Sequence, residues 1–317
     1  MIEHTTLLYN PLMTTLIFFG SDQYASTVLT SLLVSKQLEN ISIVTDQKNP
    51  PNPVEKLANT HTLKVAYYPS FDHSLITKDT LGLCASFDHL IPPDLIKLFG
   101  GQLYNLHPSL LPQYRNVSPV PYAIAMGDKV TGITLHLISE GIDSGEIVAQ
   151  VEEPIRPDDT SPLLLHRLFT LGGELFSKHV TESNQNGFTA TRIDDSATPL
   201  IFTRRLTSTH GYVEWPVLQK LLAGKPVLPD ETENPLLRLR LTRLPEGNIL
   251  HDLVRALSGW ERVWTLAPHK KAAGPEPVEG VELRLTIESV LPKLTIKLAS
   301  KPKAISWSDF EKYYLRI

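Results

Sequence analysis

Apolar positions along the chain follow two periods in turn. Residues 15–19 (TLIFF) are a short β-rich run ending at Gly20, and residues 23–36 carry Val28, Leu29, Leu32 and Leu33 at helical spacing. Residues 41–44 return to strand character, so the opening predicts strand–helix–strand. Further strand runs fall at residues 63–67, 81–86 and 102–106, with helical segments between them, 92–99 included. This alternation predicts an α/β domain on a Rossmann-like, mostly parallel sheet, with ligands at the carboxyl ends of its strands. The loop Gly20-Ser21-Asp22 lacks GxGxxG, which argues against a dinucleotide site. Residues 160–183 form a long helical pattern with Leu164, Leu168, Leu171 and Leu175 on one stripe, and Ser161-Pro162 suits its start. His166 and His179 on that helix read as solvated or packed side chains.

Residues 187–199 are polar and strand-poor, a candidate crossing between domains. A helical pattern at 250–257 and short alternating runs at 263–266, 281–287 and 294–298 follow, predicting a small β-barrel of oligonucleotide-binding type. The expected organisation is an α/β domain over 1–190, a linker over 191–207 and a C-terminal domain over 208–317. The first dozen residues read as a frayed extension, and the Gly/Pro-rich stretch 269–280 as a loose hairpin tip.

Composition sharpens this outline in three ways. With 317 residues, 42% hydrophobic and 20% charged, the chain is globular and long enough for two domains, and its 25 prolines punctuate rather than cluster. Its single cysteine, Cys84, lies in an apolar run, which excludes an internal disulfide and a cysteine-based zinc site and suits a reducing cytoplasm. The N-terminus has no basic n-region and is interrupted by Pro11, so neither a signal peptide nor a membrane span is expected. Charge is asymmetric: residues 1–203 carry 12 Lys+Arg and 21 Asp+Glu, net −9, and the remainder 18 and 13, net +5. The second half is either ordinary surface variation or a basic module that attracts a polyanion such as tRNA.

The chemistry concentrates between residues 105 and 145. Asn105 and His107 sit two apart at a strand end, so both side chains leave the same face. A Pro-rich loop follows, residues 108–119, and then an alternating strand at 131–137. It runs into Glu140-Gly141-Ile142-Asp143-Ser144-Gly145, where two glycines around one carboxylate predict a tight loop that aims Asp143. An amide, an imidazole and a carboxylate from strand ends suit acyl transfer to an amine. No HxxxH, HExxH or GxxxxGK spacing appears, so neither a metal nor a phosphate loop is expected.

Asn105-x-His107, the run Ser109-Leu110-Leu111-Pro112-x-Tyr114-Arg115 and Gly141-Ile142-Asp143-Ser144-Gly145 occur in the order found in the folate-dependent formyltransferases. The chain resembles that family over nearly its whole length, most densely in residues 81–151. Asn116 stands where the family usually has Gly, and Asn tolerates a positive φ better than most residues. The resemblance implies the formyltransferase fold and transfer from 10-formyltetrahydrofolate by Asn105, His107 and Asp143. In this reading His107 acts as an imidazolium donor to the oxyanion, Asn105 as a second donor, and Asp143 holds His107 protonated and relays a proton. Phe87, Leu90 and Ile91 are expected to flank the pterin, and Ser109, Leu110, Leu111 and Pro112 to line the rest of the donor channel.

The implied acceptor is the amino group of initiator methionyl-tRNA, served by a monomer. An amino-sugar nucleotide or glycinamide ribonucleotide is the alternative. Family members acting on tRNA carry a longer Arg- and Gly-containing insertion where residues 46–53 here hold only Lys48, which favours the alternative. The passage from Thr203-Arg204-Arg205 to Trp215, with Gly259-Trp260 and Val263-Trp264, resembles the family's C-terminal domain and favours tRNA. Arg204, Arg205, Arg238, Arg240, Arg243 and Arg255 are the expected phosphate contacts.

Overall fold

The computed structural model describes residues 4–7, 15–194, 200–260, 262–268, 282–290, 294–298 and 303–309. In chain order the first part contains β1 (His4–Leu7), β2 (Thr15–Phe19), α1 (Gln23–Ser35), β3 (Asn40–Thr45), α2 (Pro53–Thr60), β4 (Lys64–Tyr67) and β5 (Thr80–Ala85). There follow α3 (Pro93–Leu98), β6 (Leu103–His107), α4 (Pro119–Met126), β7 (Val130–Leu137), β8 (Ile147–Pro154), α5 (Ser161–Asn186) and β9 (Phe188–Thr191). The chain divides into two compact units, one of residues 1–119, 130–154 and 163–203, the other of residues 120–129, 155–162 and 204–317.

The first unit is built on one sheet of order β1-β9-β8-β7-β6-β5-β2-β3-β4. From β6 to β4 neighbouring strands run parallel, as the strand–helix alternation predicts. From β6 to β1 they run antiparallel. Both faces of β2 are buried: Leu16 and Phe18 on one side, Ile17 and Phe19 on the other, each at most 1% exposed. Phe19 anchors a cluster with Val44, Phe71, Cys84, Leu95, Phe99 and Leu103. Burial there pushes the Cys84 thiol well above its ordinary pKa, so it stays an inert apolar side chain.

The loop before α1 is spent on capping. Asp22 Oδ1 accepts from the Tyr24 and Ala25 backbone N–H groups at 2.9 Å, and Oδ2 accepts from the Ser86 hydroxyl at 2.7 Å. On α5, Leu164 and Leu168 are fully buried and His166 is exposed. His179 is packed among Tyr104, Phe176 and Phe188, and burial lowers its pKa to about 4.

Two expectations at the domain edges are corrected. The strand-poor crossing contains β9, which pairs with β1 and β8, and the extension read as frayed supplies β1 itself. Neither four-residue strand carries enough pattern to be recognised alone, because each acquires its role only from its partner. The stretch 269–280 lies outside the described residues.

The second unit adds α6 (Ser208–Gly211), α7 (Trp215–Leu222), α8 (Pro235–Arg243) and α9 (Ile249–Ala256). Its strands β10 (Trp264–Pro268), β11 (Glu282–Ser289), β12 (Thr295–Leu298) and β13 (Ile305–Ser306) form a small antiparallel sheet in sequence order. Thr265, Leu285, Ile287, Ile296 and Leu298 face inward, at most 2% exposed, while Arg284 and Lys297 face out.

Two of the arginines expected on a phosphate-binding face are used inside this unit. Arg240 is 2% exposed and donates to the Met126 and Glu246 carbonyls at 2.7 Å each, with Asp252 Oδ2 at 3.5 Å. Arg255 donates to Asp252 Oδ1 at 2.8 Å and to the Arg156 and Asp159 carbonyls at 3.0 and 2.8 Å. One carboxylate thus holds two guanidinium groups, while Arg204, Arg205, Arg238 and Arg243 remain exposed. Removing one member of such a buried set leaves an uncompensated charge. Arg240→Ala should therefore destabilise the second unit by about 3–5 kcal/mol in denaturant unfolding, and Arg243→Ala by less than about 0.5 kcal/mol.

Candidate active site

β6 is the strand at which the sheet changes from parallel to antiparallel pairing, with β5 on one side and β7 on the other. Asn105 and His107 share one face of it, as their spacing predicts. In the β6–β7 register Asn105 lies opposite His136 and His107 opposite Thr134. The cross-strand pair is in contact, with Asn105 Nδ2 3.0 Å from His136 Nε2.

Thr134, fully buried, holds the Pro-rich loop. Its hydroxyl donates to the Ser109 carbonyl at 2.6 Å and accepts from the Leu111 N–H at 3.1 Å and from Gln150 Nε2 at 2.8 Å. That uses its one donor and both lone pairs. Ser109, also fully buried, donates its hydroxyl to the Gln113 carbonyl at 2.7 Å. The loop then passes through three left-handed residues, Tyr114 at φ +57°, Asn116 at +78° and Ser118 at +68°. This path aims the Tyr114 carbonyl at His107 Nε2, 2.9 Å away, and the Asn116 N–H at Asp143 Oδ2, 2.8 Å away.

Asp143 sits at φ +46° in the loop after β7. Gly145 allows that loop to fold back: a Cβ there would lie 1.7 Å from the Leu137 carbonyl oxygen. The carboxylate reaches two imidazoles, with Oδ2 3.5 Å from His107 Nδ1 and Oδ1 3.6 Å from His136 Nε2. Asn105, His107 and Asp143 therefore converge, and His136 joins them.

Partners fix the protons. A carbonyl only accepts, so His107 carries hydrogen on Nε2 toward Tyr114, and His136 carries it on Nδ1 toward the Leu137 carbonyl, 2.9 Å away. With that hydrogen on Nδ1, His136 accepts from Asn105 through Nε2, which sets the Asn105 amide with its NH2 toward β7. Burial pulls the His107 pKa below its ordinary value and outweighs the attraction of Asp143, with His136 and Arg115 acting in the same direction as burial. Burial thus favours the neutral imidazole in the resting site, where the resemblance implies an imidazolium donor. Burial raises the Asp143 pKa, but His107, His136 and the Asn116 N–H together hold it well below the usual carboxylate range.

Of the residues expected to flank a pterin, Phe87 is half-buried, 5.7 Å centroid to centroid from Phe19 and 5.4 Å from Tyr68. Ile91 is half-buried on the same cluster, and Leu90 is 79% exposed. Ile142, beside Asp143, is 50% exposed. Leu111 is buried, Pro112 is half-buried, and Leu110 lies against Gly132, where a Cβ would fall 2.4 Å from its Cδ2. A separate cavity of about 360 Å³ is lined by Ile17, Ser42, Val44, Lys64 and Leu75 and by none of the four converging residues. Among the described residues no group of three or more His, Cys, Asp or Glu could hold a metal ion, and no helix is long and apolar enough to cross a membrane.

The formyl transferase family model matches residues 14–180, more than half of the chain and the whole of this site. The chain belongs to the formyltransferase family. A methionyl-tRNA formyltransferase of Limosilactobacillus fermentum is 24% identical over 285 residues, covering 86% of this chain and 84% of that one. The methionyl-tRNA formyltransferase of Heliobacterium modesticaldum is 32% identical over 173 residues, half of this chain and 54% of its own length. Among solved structures, a sugar 3N-formyl transferase determined with dTDP and 5-N-formyl-THF aligns over 91% of this chain and 99% of its own. Its TM-score is 0.56 at 18% identity. The N-formyltransferase of Helicobacter canadensis, in complex with folinic acid and dTDP-3-aminofucose, aligns over 86% and 94%, with a TM-score of 0.54 at 18% identity. Both share the fold of this formyltransferase.

His136 was not singled out by its sequence. The signal was present in the two-residue alternation of β7, but only the β6–β7 register turns that alternation into a contact with Asn105. His136→Leu removes the acceptor that fixes the Asn105 amide. It should lower kcat by roughly 10-fold with little change in KM, and His136→Gln, whose amide oxygen can accept, should recover part of that loss in steady-state assays.

Proposed function

We propose that this formyltransferase moves the formyl group of 10-formyltetrahydrofolate to the amino group of methionyl-initiator tRNA, in the cytoplasm and as a monomer. The observation that carries the acceptor is the reach of the similarity to the Limosilactobacillus fermentum enzyme, which covers 86% of this chain and so runs well past residues 14–180. Exposed Arg204, Arg205, Arg238 and Arg243 supply cations for phosphates. The β10–β13 sheet, read as the core of an oligonucleotide-binding barrel, offers Trp264 with Arg284 stacked 4.2 Å from its ring centre.

The donor's flat heterocycle is assigned apolar walls from Phe87, Leu90, Ile91 and Ile142. Half-buried Leu110 and Pro112 are assigned to the rest of the donor site, with Ser109 and Leu111 buried in the loop that carries them. As the amine attacks the formyl carbon, the second N–H of Asn105 Nδ2 donates to the developing oxyanion. Neutral His107 accepts the amine's proton at Nδ1, where Asp143 stabilises the imidazolium that forms. His107 then returns the proton to the departing nitrogen as its bond to the formyl carbon breaks. The products are the N-formylated acceptor and tetrahydrofolate.

One observation favours an amino-sugar nucleotide or glycinamide ribonucleotide instead. The short loop at 46–53 has a single cation, Lys48, and it lies 3.8 Å from Asp46. Incubation with labelled formyl donor against charged initiator tRNA, amino-sugar nucleotides and glycinamide ribonucleotide in parallel should label the tRNA. Label on a nucleotide alone would overturn the acceptor assignment. His107→Ala and Asp143→Ala should each fold and lose at least about 10²-fold in kcat.

The pH dependence follows from His107. Its neutral form is needed and burial lowers its pKa from 6.5, so kcat/KM should fall on the acid side with its midpoint below 6.5. A decline centred above 6.5 in a pH–rate profile would mean that His107 is not the group that must be neutral.

A further inference from the structure

We propose that Asn116 is a positioning residue for formyl transfer: its side chain clasps the Pro-rich loop to residues 200–203 and so fixes the backbone N–H that holds Asp143. The inference rests on the reading that Asp143 acts in the transfer.

The Asn116 N–H is the closest partner of the carboxylate, at 2.8 Å from Oδ2, whereas the imidazoles of His107 and His136 stand at 3.5 and 3.6 Å. Asp143 itself occupies a left-handed position on a loop whose neighbour Ile142 is half exposed, and the Ser139–Ser144 hydroxyl bond closes that loop without reaching the carboxylate. The orientation of the carboxylate therefore depends on how firmly Asn116 is held.

Three consecutive residues of the loop are tied to Thr203, which is fully buried. Asn116 Nδ2 donates to the Thr203 carbonyl at 3.1 Å. The Thr203 N–H and hydroxyl both donate to the Arg115 carbonyl at 2.9 Å, and the hydroxyl also reaches the Val117 carbonyl. Arg115 and Phe202 form a β-bridge beside them. At φ +78° glycine would serve the backbone with less strain. What asparagine adds over glycine is the amide, and the structure uses that amide on Thr203. An exposed turn would need no such bond. This one lies directly behind the hydrogen bond to the reacting site's carboxylate.

The test uses the full chain with four variants, Asn116→Gly, Thr203→Val, the double variant and Asp143→Asn, assayed with 10-formyltetrahydrofolate and charged initiator tRNA. Asn116→Gly keeps the backbone N–H and suits the turn, so it removes the side-chain bond to Thr203 and leaves those of Arg115 and Val117. Its kcat should fall roughly 10-fold to 100-fold, as expected for a displaced reacting group, with KM for both substrates unchanged. Because Asp143 raises the His107 pKa, a loosened carboxylate should also move the acid limb of the pH–rate profile to lower pH. Thr203→Val should show the same signature, and the double variant should fall short of the product of the two single effects.

Unchanged kcat in folded Asn116→Gly overturns the proposal while leaving the catalytic reading intact, provided that Asp143→Asn is inactive. A loss of kcat shared with KM and melting temperature, with an unmoved acid limb, overturns it as well, since that marks a general loop defect. If Asp143→Asn retains turnover, the catalytic reading fails and the proposal falls with it.

Discussion

The antiparallel register between β6 and β7 is the constraint on which the site depends. Side chains on a strand alternate between faces, so a slip of one residue would turn His136 away from Asn105 and Thr134 away from the loop it holds. The parallel half of the sheet cannot supply this arrangement, because its neighbours are joined by crossovers that carry the chain away. Here β7 returns directly beside β6 and, at its end, releases the loop that carries Asp143. Recognition of the amide, support of the Pro-rich loop and delivery of the carboxylate all follow from one strand pairing.

Burial then decides the charges. His107 lies almost wholly inside, with its Nε2 committed to the Tyr114 carbonyl, so water does little to stabilise a cation and burial favours the neutral ring. Asp143 keeps its charge because the Asn116 N–H donates to it and because a proton entering the cluster settles on an imidazole nitrogen rather than on the carboxylate, which offsets the same desolvation. A neutral base beside a fixed anion is suited to taking a proton briefly and giving it back.

Much of this was legible in the sequence. The parallel strands announce themselves as short apolar runs, and β2 was placed to the residue because TLIFF is bounded by Gly20. Asn105 and His107 were readable from spacing, and Asp143 from its glycines. Other features depend on facts that no local pattern carries. His136 needed a strand register. The burial of Arg240 and Arg255 runs against composition, since arginine in a polar stretch reads as solvated until an acceptor such as the Met126 carbonyl is found far away in the chain. Asn116 was visible as a departure from glycine, but its amide acquires meaning only once Thr203 lies against it.

The way Arg240 and Arg255 are satisfied bears on how this protein can be taken apart. Their acceptors include carbonyls of Met126, Arg156 and Asp159, and Ser161 donates to the Ala256 carbonyl at 2.6 Å. The second unit is therefore completed by two excursions from earlier in the chain, residues 120–129 and 155–162. A fragment beginning at Arg204 would lack them and would carry buried guanidinium groups without their acceptors. The C-terminal portion is thus no detachable cassette. Shuffling it between relatives would require carrying residues 120–129 and 155–162 along with it, so the two parts of the sequence are bound to change together.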